Sequence, residues 1–324
     1  MPSKLDQLKT MTTVVADTGD MDAIRRFGVS DATTNPTLIL KAARMPDYAR
    51  LMDETVLWGL SHRHSTSEIA DHLILKFGLE FSKIVPGRIS TEVDADLSFD
   101  IEGTVAKARE IIAGYKKLGV NRNRVLIKIA STWEGIRAAE ILQSEGIDCN
   151  MTLLFSLTQA AACADAGVFL ISPFVGRILD WHIKNKGKTY TAATDPGVAA
   201  VRQIYGYYKA HQIKTVVMGA SFRNKDEVEA LAGCDRLTIS PQLLEELSQD
   251  MGELPRRLEP ARAAAHAPAK LSLDEKTFRF MLNEDAMASE KLGEGIRIFA
   301  RDLHSLRELV SRRLQQAAQT EAIE

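Results

Sequence analysis

Short runs of aliphatic and β-branched residues alternate along this chain with longer stretches in which apolar residues return every three or four positions. The short runs, bounded by turn residues, predict buried strands over 12–17, 30–35, 87–93, 124–130, 147–154, 167–172, 214–221 and 235–240. Between them, stretches such as 104–118 and 132–146 have the spacing of helices that lay one face on a sheet. Eight such units predict a single (β/α)8 barrel of the TIM type rather than an open doubly wound sheet. No GxGxxG turn follows the first run, which weighs against dinucleotide binding. One domain over residues 1–324 is expected, with additional N- and C-terminal helices flanking the barrel.

Two segments fall outside the repeating unit. Residues 259–272, rich in Ala and carrying Pro260 and Pro268, predict an irregular connection. Beyond it, Leu292, Ile296, Phe299, Leu303, Leu306 and Val310 keep helical spacing opposite Arg297, Arg301 and Arg307. That pattern predicts a long amphipathic helix over about 284–316, packed on the barrel or on a second subunit.

Composition narrows the function. The chain carries 41 basic and 43 acidic residues, a formal net charge of −2, so no global field favours nucleic acid or an anionic membrane, and any anion it binds must be held by local arginines. The 3 cysteines, Cys149, Cys163 and Cys234, show no CxxC spacing and predict reduced core thiols. The opening Met1-Pro2-Ser3-Lys4-Leu5-Asp6-Gln7 carries an early acid and no apolar run, and no later apolar stretch is long enough to span a bilayer. The expected compartment is the cytoplasm.

In a barrel of this kind, polar residues at the C-terminal ends of strands converge on one mouth. Those ends read Asp17, Asn35, Glu92, Lys128, Asn150 with Thr152, Ser172, and Ser221. Side-chain alternation puts Asn150 and Thr152 in the lumen and Cys149, Met151 and Leu153 against the helices; likewise Ser90 shares a face with Glu92, and Leu126 with Lys128.

Lys128 lies within Val125-Leu126-Ile127-Lys128-Ile129-Ala130. A lysine in such a strand either snorkels to water at the strand end or sits in a closed site. In a closed site, burial favours the neutral amine, the form that attacks carbonyls. Each strand-end residue has a plainer reading too: Asp17 as a cap, Asn35-Pro36 as a turn, Glu92 as one of several solvated acids, Thr152 as a β-former. Their concurrence at matching positions of separate strands suits carbonyl chemistry with proton transfer. Arg177 and Arg223 follow the sixth and seventh strands and, with Ser221, can clamp a phosphate. His62 and His64 are two apart and lack further ligands, so they are read as surface residues and no metal site is expected. Trp133 and Trp181 are read as helix-start residues packing around the mouth.

Several of these segments resemble the transaldolase family. Asp31-Ala32-Thr33-Thr34-Asn35-Pro36-Thr37-Leu38 and Ile127-Lys128-Ile129-Ala130-Ser131-Thr132-Trp133-Glu134-Gly135-Ile136 resemble its two signature stretches. Ser90-Thr91-Glu92-Val93-Asp94-Ala95, Cys149-Asn150-Met151-Thr152-Leu153-Leu154-Phe155-Ser156, Ile171-Ser172-Pro173-Phe174-Val175-Gly176-Arg177 and Met218-Gly219-Ala220-Ser221-Phe222-Arg223 follow in the family's order. The likeness covers roughly residues 1 to 310 and is greatest to the longer bacterial and eukaryotic branch.

The resemblance implies that Lys128 forms a Schiff base with a ketose phosphate such as sedoheptulose 7-phosphate or fructose 6-phosphate. A dihydroxyacetone unit then passes to glyceraldehyde 3-phosphate or erythrose 4-phosphate. Asp17 would handle the C4 hydroxyl proton, and Glu92 would work through a water shared with Thr152. Asn35 and Asn150 would hold the three-carbon unit, Ser172 a substrate hydroxyl, and Arg177, Arg223 and Ser221 the phosphate. No metal or organic cofactor is implied, and a homodimer is. Related fructose 6-phosphate aldolases carry tyrosine where this chain has Phe174, which favours group transfer over free aldol cleavage. The rival readings are a class I aldolase that releases dihydroxyacetone and a sugar-phosphate-binding barrel without turnover.

Overall fold

Eight strands pair in the order in which the chain makes them: β1 (Thr13–Asp17), β2 (Asp31–Thr33), β3 (Ile89–Glu92), β4 (Val125–Ala130), β5 (Cys149–Leu154), β6 (Leu170–Pro173), β7 (Val216–Gly219) and β8 (Arg236–Ile239). All neighbours are parallel, and β8 pairs with β1, so the sheet closes into a barrel without edges. The structure, a computed structural model, describes residues 2–265 and 267–321. Helices flank the barrel on the outside. Because helices cover the outside of the closed parallel sheet, its strands are buried on both faces, and every residue of β4 and β5 is buried, the polar Lys128, Asn150 and Thr152 included.

The expected strand windows overreach at their ends. The 30–35 window contains a strand of only Asp31–Thr33, because Asn35 already caps the next helix, Pro36–Ala43, with its side chain accepting from Leu38 N–H at 3.0 Å and Pro36 at the first helical position. Similarly, Thr132 caps Trp133–Ser144 through Gly135 N–H at 2.9 Å. In these two places the chain passes from strand to capped helix within one or two residues.

Alternation fails at one place. The pairing of β5 with β6 shifts register between Met151 and Leu154, and Leu153 adopts a left-handed φ of 51°. This bulge turns Leu153 away from the helices, where alternation put it, into an apolar cluster at the mouth with Phe155, Phe174 and Phe299.

The 259–272 segment is not wholly irregular, since Pro260–Ala264 forms one helical turn that packs on Pro196–Ala210. The last long helix runs Ala286–Glu321, not 284–316; a separate helix, Glu275–Glu284, precedes it, and the break at Asp285 is marked by that side chain accepting from Ala288 N–H at 3.0 Å. Trp181 lies within Gly176–Lys186 rather than at its start, packs on the mouth cluster and donates to Glu290 at 2.7 Å.

The apolar stripe of the last helix is not left for a partner. Leu292, Ile296, Phe299, Leu303, Leu306 and Val310 are all buried in the chain's own core. At about 1.5–3 kcal/mol for each fully buried large side chain, the stripe contributes on the order of 10 kcal/mol gross, an upper bound because unfolded chains are themselves partly compact. Polar ties fix its register: Thr37 to Asp302 at 2.5 Å, His304 to Asp96 at 2.9 Å and Arg307 to Asp94 at 2.5 Å. No helix among the described residues is long and apolar enough to cross a membrane.

Candidate functional site

Val15, Leu126, Leu170 and Met218 plug the barrel interior and form the floor on which the polar residues stand. Above them, register aligns Glu92 of β3, Lys128 of β4 and Asn150 of β5 as neighbours across three strands. Lys128 does not snorkel to solvent, for its side chain is 6 % exposed and that of Glu92 5 %. The ammonium donates to the Thr34 carbonyl at 3.0 Å and meets Glu92 Oε2 at 3.1 Å, the latter as an ion pair without the angles of a hydrogen bond. The lysine is thus enclosed but not in an apolar box.

Asp17 ends β1 in the same lumen and is no helix cap, since Asp20 caps the helix that follows. Its carboxylate accepts from Thr33 Oγ1 at 3.3 Å, and Thr33 Oγ1 also lies 2.7 Å from Thr238 Oγ1. Burial raises the pKa of both Asp17 and Glu92, a shift that the charges of Lys128 and Arg177 reduce but do not cancel. Two carboxyl groups therefore share the field of one lysine, each held above the ordinary carboxylate range.

A second row runs across the barrel. Ser172 donates to Asn150 Oδ1 at 2.6 Å, and Asn150 Nδ2 donates to Ser90 at 3.1 Å, so the amide is fixed from both sides. Asn35 spends its carbonyl on the cap described above and keeps its amide N–H groups for the cavity it lines. Thr152 lines the same cavity, and its hydroxyl, like Glu92 Oε2, is buried without a hydrogen-bond partner among the described residues.

At the rim, Arg177 leaves the first turn of Gly176–Lys186, a helix whose start has no side-chain cap, and faces Ser221 across the cavity. Its guanidinium lies 5.0 Å from the Phe174 ring and 5.4 Å from the Phe299 ring and, among the described residues, has no hydrogen-bond or ion-pair partner. Burial, then the nearby Arg223, lower its pKa. Ser221 holds a left-handed φ of 61°, and its carbonyl accepts from Gly176 N–H at 2.8 Å. A Cβ on Gly176 would lie 2.5 Å from that carbonyl, so only glycine allows this approach. Arg223 is set apart from the cavity, gripped by Asp180 through Nε and Nη2 at 3.1 and 2.7 Å.

The sequence expectations thus meet at one mouth except for Arg223. Thr33, Thr238 and Phe299 were missed. Thr33 carries a signal in the sequence, lying two residues before Asn35 in the same extended run, and Thr238 is a polar residue of the eighth predicted strand, from which no candidate was drawn. Phe299 reaches Lys128, 5.9 Å from ring to ammonium, only because the last helix folds over the mouth. His62 and His64 lie away from the mouth, both within stacking distance of Trp58.

A closed parallel barrel whose lumen sets one buried lysine among two buried carboxyl groups, beneath an unpaired arginine, belongs to the class of barrel enzymes equipped for lysine-centred carbonyl chemistry on an anionic substrate. Residues 14–310 match the family described as transaldolase/fructose-6-phosphate aldolase. The chain is 63% identical over 322 residues to a transaldolase of Rhizobium etli, covering 98% of this chain and 100% of the relative. Transaldolases of Agrobacterium fabrum, 61% identical over 98% of this chain and 100% of that one, and of Cellvibrio japonicus, 61% over 97% and 100%, are comparably similar. This chain belongs to the transaldolase/fructose-6-phosphate aldolase family.

Proposed function

We infer that the protein is a transaldolase of the pentose phosphate pathway, passing a dihydroxyacetone unit from a ketose phosphate (sedoheptulose 7-phosphate or fructose 6-phosphate) to an aldose phosphate (glyceraldehyde 3-phosphate or erythrose 4-phosphate) through a lysine Schiff base. The observation that carries this reading is Lys128, enclosed at the mouth, 3.1 Å from Glu92 and facing a cavity that Asp17 and Arg177 share.

In this reading Lys128 Nζ attacks the C2 carbonyl and water leaves as the imine forms. Glu92 moves the protons of that step through a water held with Thr152, which would supply a hydrogen bond to two buried oxygens that have none among the described residues. Asp17 takes the C4 hydroxyl proton, the C3–C4 bond breaks, the aldose phosphate leaves, and the protonated imine holds the electron pair on the three-carbon unit. That unit then adds to the acceptor aldehyde by the reverse steps, and hydrolysis frees Lys128. Asn35, Asn150 and Ser172 hold the hydroxyls of the three-carbon unit. Ser221 and Arg177 hold phosphate with the uncapped helix start beneath them. Arg223, paired with Asp180, adds positive potential rather than a direct grip. Phe174, wedged between Phe155 and Arg177, offers no hydroxyl to orient a water, in keeping with transfer rather than release. The proposal extends to one domain spanning the chain, working in the cytoplasm as a homodimer.

Incubation with fructose 6-phosphate and borohydride should fix a three-carbon adduct on Lys128, and Lys128→Arg should fold yet trap nothing. An adduct on another lysine would refute the assignment. Turnover of fructose 6-phosphate that does not depend on an aldose phosphate acceptor would favour the aldolase reading instead.

A further inference from the structure

The Pro260–Ala264 turn takes no part in the mouth, yet the chain around it forms an open cavity of about 670 Å³ against the flank of Pro196–Ala210, with Arg256, Arg257, Glu259 and Arg262 exposed along it. Its walls are closely built. Arg257 and Leu258 N–H both donate to the Ala232 carbonyl, at 2.8 and 2.9 Å. A Cβ on Gly206 would approach the Ala263 carbonyl to 2.7 Å, and one on Gly233 the Leu258 carbonyl to 2.4 Å. Four arginines line this space, Arg202, Arg256, Arg257 and Arg262, against one carboxylate, Glu259.

Glu259 reaches Arg256 at 3.4 Å. Arg257 and Arg262 have no side-chain partner among the described residues. Arg202 donates one N–H to the Ala230 carbonyl at 2.9 Å, while its buried Nε has no partner among the described residues. Guanidinium groups gathered with so little counter-charge repel one another, and Arg202 has its pKa lowered by burial and then by Arg257. The cost is relieved by an anion that accepts several N–H bonds at once.

We propose that this cavity is a binding site for a small, multiply charged phosphate-bearing anion, held on the guanidinium forks of Arg202, Arg257 and Arg262. Planar forks match phosphate oxygens pairwise, which makes arginine better suited than lysine to such a ligand. The cavity shares no lining residue with the one at Lys128, so it is a site separate from the mouth.

Pyrophosphate serves as the probe, titrated calorimetrically at constant ionic strength. Arg177→Ala weakens the phosphate subsite of the mouth, so binding to that variant that depends on Arg257 and Arg262 reports the second cavity. We expect pyrophosphate to bind Arg177→Ala, and adding Arg257→Gln and Arg262→Gln to weaken binding at least about tenfold, the loss of one charge-assisted bond or more. The same two replacements in the otherwise native chain should leave kcat and KM for transfer unchanged, which also shows that they fold; Arg262→Gln alone, on the exposed turn, gives the same direction on a milder change. No binding to Arg177→Ala, or unaltered affinity after the arginine replacements, overturns the site. Binding of a DNA oligonucleotide without binding of pyrophosphate would overturn the small-anion assignment.

Discussion

Replacing Phe299 tests whether the last helix takes part in the site or merely covers it. The ring is 1 % exposed and packs among Leu153, Phe174 and Ile296. Truncating a core phenylalanine to alanine costs about 3–5 kcal/mol, more when the surroundings cannot collapse into the space. Here they cannot readily do so, because Thr37–Asp302 and Arg307–Asp94 hold the helix in place beyond the gap. The upper half of that range is therefore expected for Phe299→Ala, read from urea unfolding.

The kinetic part is separate. The ring lies 5.9 Å from Lys128 Nζ and 5.4 Å from the Arg177 guanidinium. A partly desolvated cation–π contact contributes about 0.5–2 kcal/mol, so kcat/KM should fall between about twofold and thirtyfold. Phe299→Leu distinguishes the two effects: it keeps most of the apolar volume, costs less than about 1.5 kcal/mol of stability, and removes the ring from both cations. If the leucine variant keeps full kcat/KM in a coupled transfer assay, the ring is packing only and the catalytic part of the argument fails.

Asp17→Asn should abolish transfer but not destabilise the fold. Because the folded-state pKa of Asp17 is raised by burial, this carboxyl favours folding below the ordinary carboxylate range and loses that contribution as pH rises through its raised value. The unfolding midpoint of the variant should then match the native chain at low pH and exceed it near neutrality; a midpoint lower at neutral pH argues against the assignment. Glu227 has the same sign for the same reason, its pKa pushed up to about 7 by burial and by the neighbouring Asp195. Glu227→Gln should flatten the decline in native stability between about pH 4.5 and pH 8 while keeping an acceptor for Arg223 N–H, bonded at 2.6 Å, and parallel stability curves would count against this. Gly176→Ala drives a Cβ to 2.5 Å from the Ser221 carbonyl, so KM for phosphorylated substrates should rise about tenfold or more with a smaller change for a non-phosphorylated ketose; equal changes for both would show that the loop does not hold phosphate.

The alternation of apolar runs determined the barrel, because eight runs too short for helices, separated by amphipathic stretches, leave one economical closed arrangement. It also determined which strand ends carry chemistry, since period-two alternation is a local property of the backbone: Glu92, Lys128 and Asn150 could be read as lumen residues before their register was known. Local rules failed where a nonlocal contact overrides them. Leu153 turns inward through a bulge between β5 and β6, and Arg223 follows the seventh strand as expected but is captured by Asp180 from another helix. Likewise, the stripe on the last helix reads identically whether it meets a partner or its own barrel. Only the tertiary fold decided that it lies across the mouth, bringing Phe299 over Lys128 from 171 residues away. Such pairings are set by the packing of a whole surface, and no window of sequence contains both halves of it.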